Sequence, residues 1–98
     1  MQFVIVAHDG LDSEALQRRQ AAREARVQNI DNNMAHMIMG AMKLAENGEG
    51  NGSVLIVDFP TRAAFDAWLK LEPYVVQQVW KEVTVSDCKV GPCFLKQG

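Results

Sequence analysis

Two kinds of hydrophobic pattern alternate along this chain. Four segments rich in apolar and β-branched residues predict strands, at residues 2–7, 34–42, 54–59 and 79–90. Two segments between them have helical spacing. The first begins at a cap formed by Asp12 or Ser13 and ends near Ile30, and Thr61 caps the second. A polar, glycine-rich loop over 45–52 separates the second and third strands.

The predicted order β-α-β-β-α-β is that of an α+β ferredoxin-like sandwich, in which both helices cover the same face of one sheet. The first three strands are apolar on both faces, apart from His36 in the second and Asp58 in the third. A sheet with two apolar faces needs cover on both. We therefore expect a homodimer whose two sheets pack face to face, which is a dimeric α+β barrel.

Composition excludes several classes of protein. The 98 residues are expected to form one domain over 1–98, and a net charge of −2 gives no general attraction for nucleic acid or for an anionic membrane. The first apolar run is too short for a signal or spanning segment, so we expect a cytoplasmic protein. Cys88 and Cys93 are expected to be reduced thiols. The glycine-rich loop precedes a strand rather than a helix, so it does not predict a dinucleotide site.

The first predicted helix carries an unusual row of cations. Arg19, Arg23 and Arg26 lie on one ridge of the helix. The apolar stripe that should face the sheet contains Arg23 together with Leu16, Val27 and Ile30. Because a lone buried charge is costly, we expect Arg23 to have an anionic partner, with Glu72 as the first candidate. In the alternative, Arg19 and Arg26 are solvated and Arg23 extends its charged end to water.

Four short motifs spread over nearly the whole chain point to a family. They are the opening 3–9, the helix segment 23–26, Gly40 near the end of the second strand, and the strand–helix run that ends in Glu72-Pro73-Tyr74. In these motifs the chain resembles the YciI-like (YCII-related) family of small dimeric α+β barrels. Members of that family usually have Arg-x-x-His in the first helix and Asp-Pro-Tyr after the second. Their histidine and aspartate are thought to form an acid–base pair in a pocket.

This chain departs from that pattern at the two positions that matter most. The resemblance places the family's arginine at Arg23, its histidine position at Arg26 and its aspartate position at Glu72. Arginine stays protonated at all ordinary pH values and cannot act as a base. A glutamate facing Arg26 therefore suggests a fixed ion pair or an anion clamp.

Two functions remain open on these residues. The first is binding of a small polar or anionic compound near the first helix and the Glu72-Pro73-Tyr74 segment. The second is a lyase, isomerase or dehalogenase-like enzyme in which Glu72 transfers protons and Arg23 and Arg26 clamp the anion. The sequence leaves it undecided whether the protein is an enzyme at all.

The remaining candidates are less specific. His8, at the end of the first strand, is a candidate ligand-binding residue at the pocket mouth, and the Tyr74 hydroxyl could reach the same cleft, although its ring could instead pack under the second helix. His36 is expected to be a core or interface residue. His8, His36 and Glu72 lack the spacing of a metal site, so no metal or other cofactor is expected. The expected partners are a second copy of the chain and a small-molecule ligand.

Overall fold

The computed structural model describes residues 1–95 as one four-stranded antiparallel sheet with helices on one side. The strands lie in the order β2-β3-β1-β4. The elements are β1 Gln2–Asp9, α1 Ala15–Asn32, β2 Met37–Leu44, β3 Gly50–Asp58, α2 Arg62–Leu71, α3 Pro73–Val76 and β4 Trp80–Cys88. The predicted ferredoxin-like α+β fold is confirmed. Among the helices described, none is both long enough and apolar enough to cross a bilayer.

The core lies between the sheet and the helices. Alternate residues of β1 and β3 are buried on this side, namely Phe3, Ile5, Ala7, Leu55 and Val57. From α2, Phe65 stacks on Phe3 with ring centroids 4.2 Å apart, and Trp68 packs beside Phe65. This aromatic layer anchors α2 and leaves the other half of the sheet for α1.

The opposite face of the sheet remains open in a single chain. Residues of the other parity in the two central strands are only half-buried: Val4, Val6, Val54 and Ile56. On the edge strand, Met39 is 40% exposed. The apolar character of both strand faces therefore survives as an uncovered apolar surface.

Several predicted element bounds are wrong, and local turns explain them. Residues 34–36, predicted as strand, form the 3₁₀ turn Met34–His36, so that β2 begins at Met37 and runs past the predicted end. β3 begins at Gly50, before the predicted start, because a bond from Ala45 N–H to the Glu49 carbonyl (2.8 Å) closes a tighter turn. β1 extends to Asp9, α1 reaches Asn32, and β4 is shorter than the predicted 79–90.

His36 has a structural place in the 3₁₀ turn. Its Nδ1 lies 3.0 Å from the carbonyl oxygen of Asp58, and its ring stacks on Phe59 at 4.4 Å. This half-buried position is consistent with the expected role as a core or interface residue.

Of the two predicted helix caps, one is confirmed and one is wrong. Thr61 caps α2 as predicted, since its hydroxyl accepts a hydrogen bond from Ala64 N–H at 3.1 Å. The predicted cap of α1 is wrong, because α1 begins only at Ala15 and no side chain caps it. The Asp12 carboxylate is instead held by the Arg18 guanidinium, with both N–O distances 2.7 Å.

Candidate ligand-binding site

The first helix turns a different face to the sheet than its apolar stripe predicted. Arg19, Ala22 and Arg26 are buried, whereas Arg23 is exposed. The expectation of a buried Arg23 paired with Glu72 is therefore wrong, and so is the alternative in which Arg19 and Arg26 are solvated. The apolar residues of α1 form no broad stripe, since even Val27 is 45% exposed. Ion pairs, rather than apolar burial, thus orient this helix.

Arg19 is held by four hydrogen bonds, which its Nε and Nη2 donate. Its Nε and Nη2 donate to the two carboxylate oxygens of Asp9 at 2.6 and 3.1 Å. Nη2 also donates to the Gly52 carbonyl at 2.8 Å and to Ser53 Oγ at 3.2 Å. Trp80 Nε1 donates to the same Ser53 hydroxyl at 3.2 Å. A bidentate pair supported in this way is rigid.

Arg26 and Glu72 form a second buried ion pair, which is much looser. Arg26 Nε lies 3.3 Å from Glu72 Oε1, and within residues 1–95 neither atom has a hydrogen-bond partner. The other carboxylate oxygen, Oε2, accepts the backbone N–H of Tyr74 at 2.7 Å and so caps α3. The sequence suggested a fixed ion pair or an anion clamp at these residues, and the structure shows an ion pair that no hydrogen bond fixes.

Glu72 has no solvent-exposed surface. Burial raises the pKa of its carboxyl group above the ordinary value, and this effect outweighs the opposing influence of the Arg26 charge and of the Tyr74 and Val75 backbone N–H groups. A buried carboxyl group of this kind readily holds a proton.

Tyr74 lies against both arginines. The guanidinium carbons of Arg19 and Arg26 are 4.8 and 4.4 Å from the centre of its ring. The Tyr74 and Trp80 rings pack nearly at right angles with their centroids 5.8 Å apart, and the Arg26 guanidinium carbon also lies 5.3 Å from the centre of the Trp80 ring. The aromatic faces stabilise the two cations without using their N–H groups. Tyr74, which is buried, therefore contributes through its ring.

A cavity of about 380 Å³ opens beside these residues, between α1 and strands β2 and β3. Its polar lining is Arg19, Arg26 and Ser53. Its apolar lining includes Ile30, Met34, Met37, Ile38, Met42 and Leu55. Because Glu72 is fully buried and contacts Arg26, the Arg26 guanidinium connects it to the cavity. The arrangement can bind an anion that has an apolar body.

The structure brings together some of the predicted site residues and separates others. Arg26, Glu72 and Tyr74 are neighbours. Arg23 lines a smaller groove of about 270 Å³, which it shares with Arg19 and Tyr74. His8 is exposed, and its Nδ1 lies 3.0 Å from Lys43 Nζ. Its position in β1 places it on the open face of the sheet, away from the cavity.

Sequence reasoning missed Asp9, Ser53 and Trp80. The signal for Asp9 was present, because it continues the inward parity of Phe3, Ile5 and Ala7. Ser53 shares the inward parity of Leu55 and Val57, but a buried serine does not by itself indicate a hydrogen-bonding role at a site. Across residues 1–95, no group of three histidine, cysteine, aspartate or glutamate side chains is arranged to hold a metal ion.

Comparison with protein-family models matches residues 1–89 to the YCII-related domain. The chain belongs to the YCII-related family. Comparison with curated protein sequences found no significant match. The matched part of this YCII-related protein includes both residues of the Arg26–Glu72 pair.

Solved structures share the fold. The chain is similar to 5-chloro-2-hydroxyhydroquinone dehydrochlorinase from Burkholderia phenoliruptrix, solved in complex with 2,5-dihydroxybenzoquinone, with a TM-score of 0.82, 20% identity and coverage of 93% of this chain and 96% of that one. It is also similar to an antibiotic biosynthesis monooxygenase, with a TM-score of 0.58, 19% identity and coverage of 94% and 100%.

A dimeric ferredoxin-like protein of unknown function from Jannaschia has a TM-score of 0.54, 13% identity and coverage of 91% of this chain and 98% of that one. At these identities the similarity shows the fold, and function must be argued from the site.

Proposed function

We propose that this YCII-related protein binds a small anionic compound in the cavity beside α1, and that Arg26 holds the anion. The observation that carries the proposal is the state of the Arg26 side chain. It is buried, it lines the cavity, and its Nε has no hydrogen-bond partner within residues 1–95. A buried guanidinium with donor capacity left over is suited to a carboxylate or phenolate oxygen.

The cavity walls suggest the body of the ligand. Most of the lining is aliphatic or thioether, and a volume of about 380 Å³ is at the small end of ligand pockets. A single ring with an acidic oxygen fits within it. The compound bound in the similar dehydrochlorinase structure, 2,5-dihydroxybenzoquinone, is of this class and serves as a first probe.

Calorimetric titration with 2,5-dihydroxybenzoquinone and with benzoate tests this function. Arg26→Gln should weaken binding at least about tenfold, because each charge-assisted hydrogen bond contributes roughly 1.5–3 kcal/mol. Arg62→Gln is the matched control, since Arg62 is an exposed arginine on α2 that pairs with Asp66. Neutral benzamide should bind more weakly than benzoate. Equal binding of benzoate and benzamide, or an Arg26→Gln variant that binds as the wild type does, would contradict the proposal.

The second candidate is a lyase, isomerase or dehalogenase-like enzyme, and the state of Glu72 supports it. Burial raises the pKa of the Glu72 carboxyl group, and its Oε1 has no hydrogen-bond partner in the described chain, so this group is suited to proton transfer. Glu72 would be the acid or base and Arg26 the anion clamp. The Arg26 side chain would have to shift for Glu72 to reach a substrate, and for this reason we place binding first.

Arg23 enters either function only from outside the cavity. It lines the neighbouring groove, so we propose that it contacts the part of a ligand that extends beyond Arg19.

The enzyme hypothesis is tested by turnover of a panel of chlorinated and hydroxylated aromatic acids. Turnover by the wild type, and its loss in Glu72→Gln, would establish the enzyme. Full turnover by Glu72→Gln would exclude Glu72 as the proton-transfer group.

We also propose that the protein works as a homodimer through the open sheet face. The support is the uncovered apolar surface of β1 and β3, together with one similar structure that is described as dimeric. A cytoplasmic location stays a prediction from the sequence.

A further inference from the structure

Four acidic and basic side chains meet in the interior beside the cavity. Asp9, Arg19, Arg26 and Glu72 are 6%, 7%, 9% and 0% exposed. When all four are ionised, their charges cancel. Buried charges are tolerated only when they are balanced, so any ligand that brings a further negative charge into this cluster must have that charge compensated.

The two ion pairs differ in how firmly hydrogen bonds hold them. This difference decides which carboxylate can compensate the charge of an incoming anion. The Asp9 carboxylate receives two hydrogen bonds from Arg19, which also donates to Gly52 and Ser53. The Arg26–Glu72 pair has one approach of 3.3 Å, and its two facing atoms have no hydrogen-bond partner within residues 1–95. A ligand anion that contacts Arg26 therefore competes with Glu72 and not with Asp9.

A ligand anion on Arg26 would leave two negative groups on one cation in a site with little water. Like charges in such a place disfavour the ionised form of both. Glu72 can relieve the conflict by taking a proton. Its Oε2 already accepts the Tyr74 N–H, whereas its Oε1 has no described hydrogen-bond partner and lies 3.3 Å from Nε of Arg26, the residue that lines the cavity.

We propose that the cavity takes up its anion together with one proton, and that Glu72 accepts this proton. The inference rests on the proposed anion binding at Arg26. One anion and one proton from solvent enter together, an O–H bond forms on Glu72, and the net charge of the buried cluster is unchanged. No covalent bond of the ligand breaks. The raised pKa of the Glu72 carboxyl group is consistent with this step.

Among the charged groups in this cluster, Glu72 is the one whose protonation state can change when the anion binds. Arg26 and Arg19 face it from α1, and the Tyr74 and Val75 backbone N–H groups face it from α3. Beyond Arg19, Asp9 on β1 is held in its bidentate pair. The two histidines lie elsewhere: His8 is beside Lys43, and His36 is against Asp58.

Benzenesulfonate is the probe of choice, because it stays an anion at every pH used and cannot itself take up the proton. Calorimetric titration of the full chain, in pairs of buffers with different ionisation enthalpies, counts the protons bound with each ligand. As the pH rises through the Glu72 pKa of the free protein, we expect uptake to rise towards one proton per ligand. Above the Glu72 pKa, Kd should increase about tenfold per pH unit.

Glu72→Gln should remove both the proton uptake and the pH dependence. One pH unit or more above the Glu72 pKa of the free wild type, this variant should bind benzenesulfonate at least about tenfold more tightly than the wild type, because Arg26 no longer has a competing carboxylate. Exposed Glu24→Gln is the matched control and should behave as the wild type. If Glu72→Gln does not fold, the number of protons that the wild type takes up per bound ligand tests the inference by itself.

The outcomes separate this inference from the function on which it rests. Binding without proton uptake, or uptake that persists in Glu72→Gln, overturns the inference and leaves anion binding at Arg26 intact. Absence of binding to benzenesulfonate, benzoate and 2,5-dihydroxybenzoquinone at all pH values overturns the proposed function itself. Uptake approaching one proton, lost in Glu72→Gln, supports both.

Discussion

Arg26 Nε and Glu72 Oε1 lie 3.3 Å apart without forming a hydrogen bond, although both side chains are buried. The neighbouring pair of Asp9 and Arg19 has two aligned hydrogen bonds at 2.6 and 3.1 Å. One α-helix thus carries a rigid ion pair and, two turns later, a loose one. The loose pair borders the cavity and is the one that a ligand can rearrange.

Removal of Arg26 should be strongly destabilising near neutral pH. Arg26→Met leaves Glu72 as an unpaired buried charge, and we expect the free energy of unfolding to fall by about 3–5 kcal/mol. The double variant Arg26→Met/Glu72→Gln should recover most of this loss, because no uncompensated charge remains. Urea unfolding at one fixed protein concentration measures all three proteins. Equal losses in the single and double variants would show that packing of the arginine stem, and not charge, is responsible.

The Glu72 carboxyl group should make stability depend on pH in a known direction. Burial raises its folded-state pKa above the ordinary value of 4.5, so the folded protein holds this proton more tightly than the unfolded chain. The stabilisation is complete below about pH 4.5 and is lost as the pH rises through the folded-state pKa.

The free energy of unfolding of the wild type, minus that of Glu72→Gln, should therefore fall with rising pH. Its slope should not exceed about 1.4 kcal/mol per pH unit. The same difference taken with exposed Glu24→Gln should stay level. A difference that increases with pH would mean that the Arg26 charge dominates over burial.

Asp9→Asn should damage both stability and ligand binding. It removes the charge that balances buried Arg19, for which we expect a loss of about 3 kcal/mol in the free energy of unfolding. Because Arg19 lines the cavity, its displacement should also weaken benzoate binding. Asp12→Asn is the control, since Asp12 pairs with Arg18 at the surface and its loss should have little effect on either property. Similar effects of the two substitutions would contradict the distinction between buried and exposed pairs.

A lysine on each face of β3 should separate folding from assembly. Leu55 is 2% exposed and faces the helices, so Leu55→Lys should prevent folding. Ile56 has the opposite parity and is half-buried on the open face. Ile56→Lys should therefore fold, but as a monomer of 10.9 kDa, whereas the wild type should scatter light as a dimer. A wild type that is monomeric at micromolar concentration, or an Ile56→Lys variant that remains dimeric, would contradict the face-to-face assembly.

Local signals predicted the elements that local chemistry controls. The strands appeared where apolar runs did, and Thr61 capped α2 because a hydroxyl at that position can reach the Ala64 N–H. The predicted start of the second strand is wrong at residues 34–36. There His36 contacts the carbonyl oxygen of Asp58, which is distant in the sequence, so no short-range pattern could predict the contact. The predicted start of α1 is wrong because the Asp12 carboxylate accepts hydrogen bonds from the Arg18 guanidinium and does not cap the helix.

The sequence by itself determined the order of elements, the two apolar faces of the sheet and the family, because all three depend on residue type and spacing along the chain. Only the tertiary structure decided which arginines of α1 enter the core. Hydropathy gives a charged residue no reason to turn inwards, so the apolar stripe pointed to Arg23. The choice of Arg19 and Arg26 depends on Asp9 and Glu72, whose carboxylates are brought to the same side of the sheet only when the chain folds.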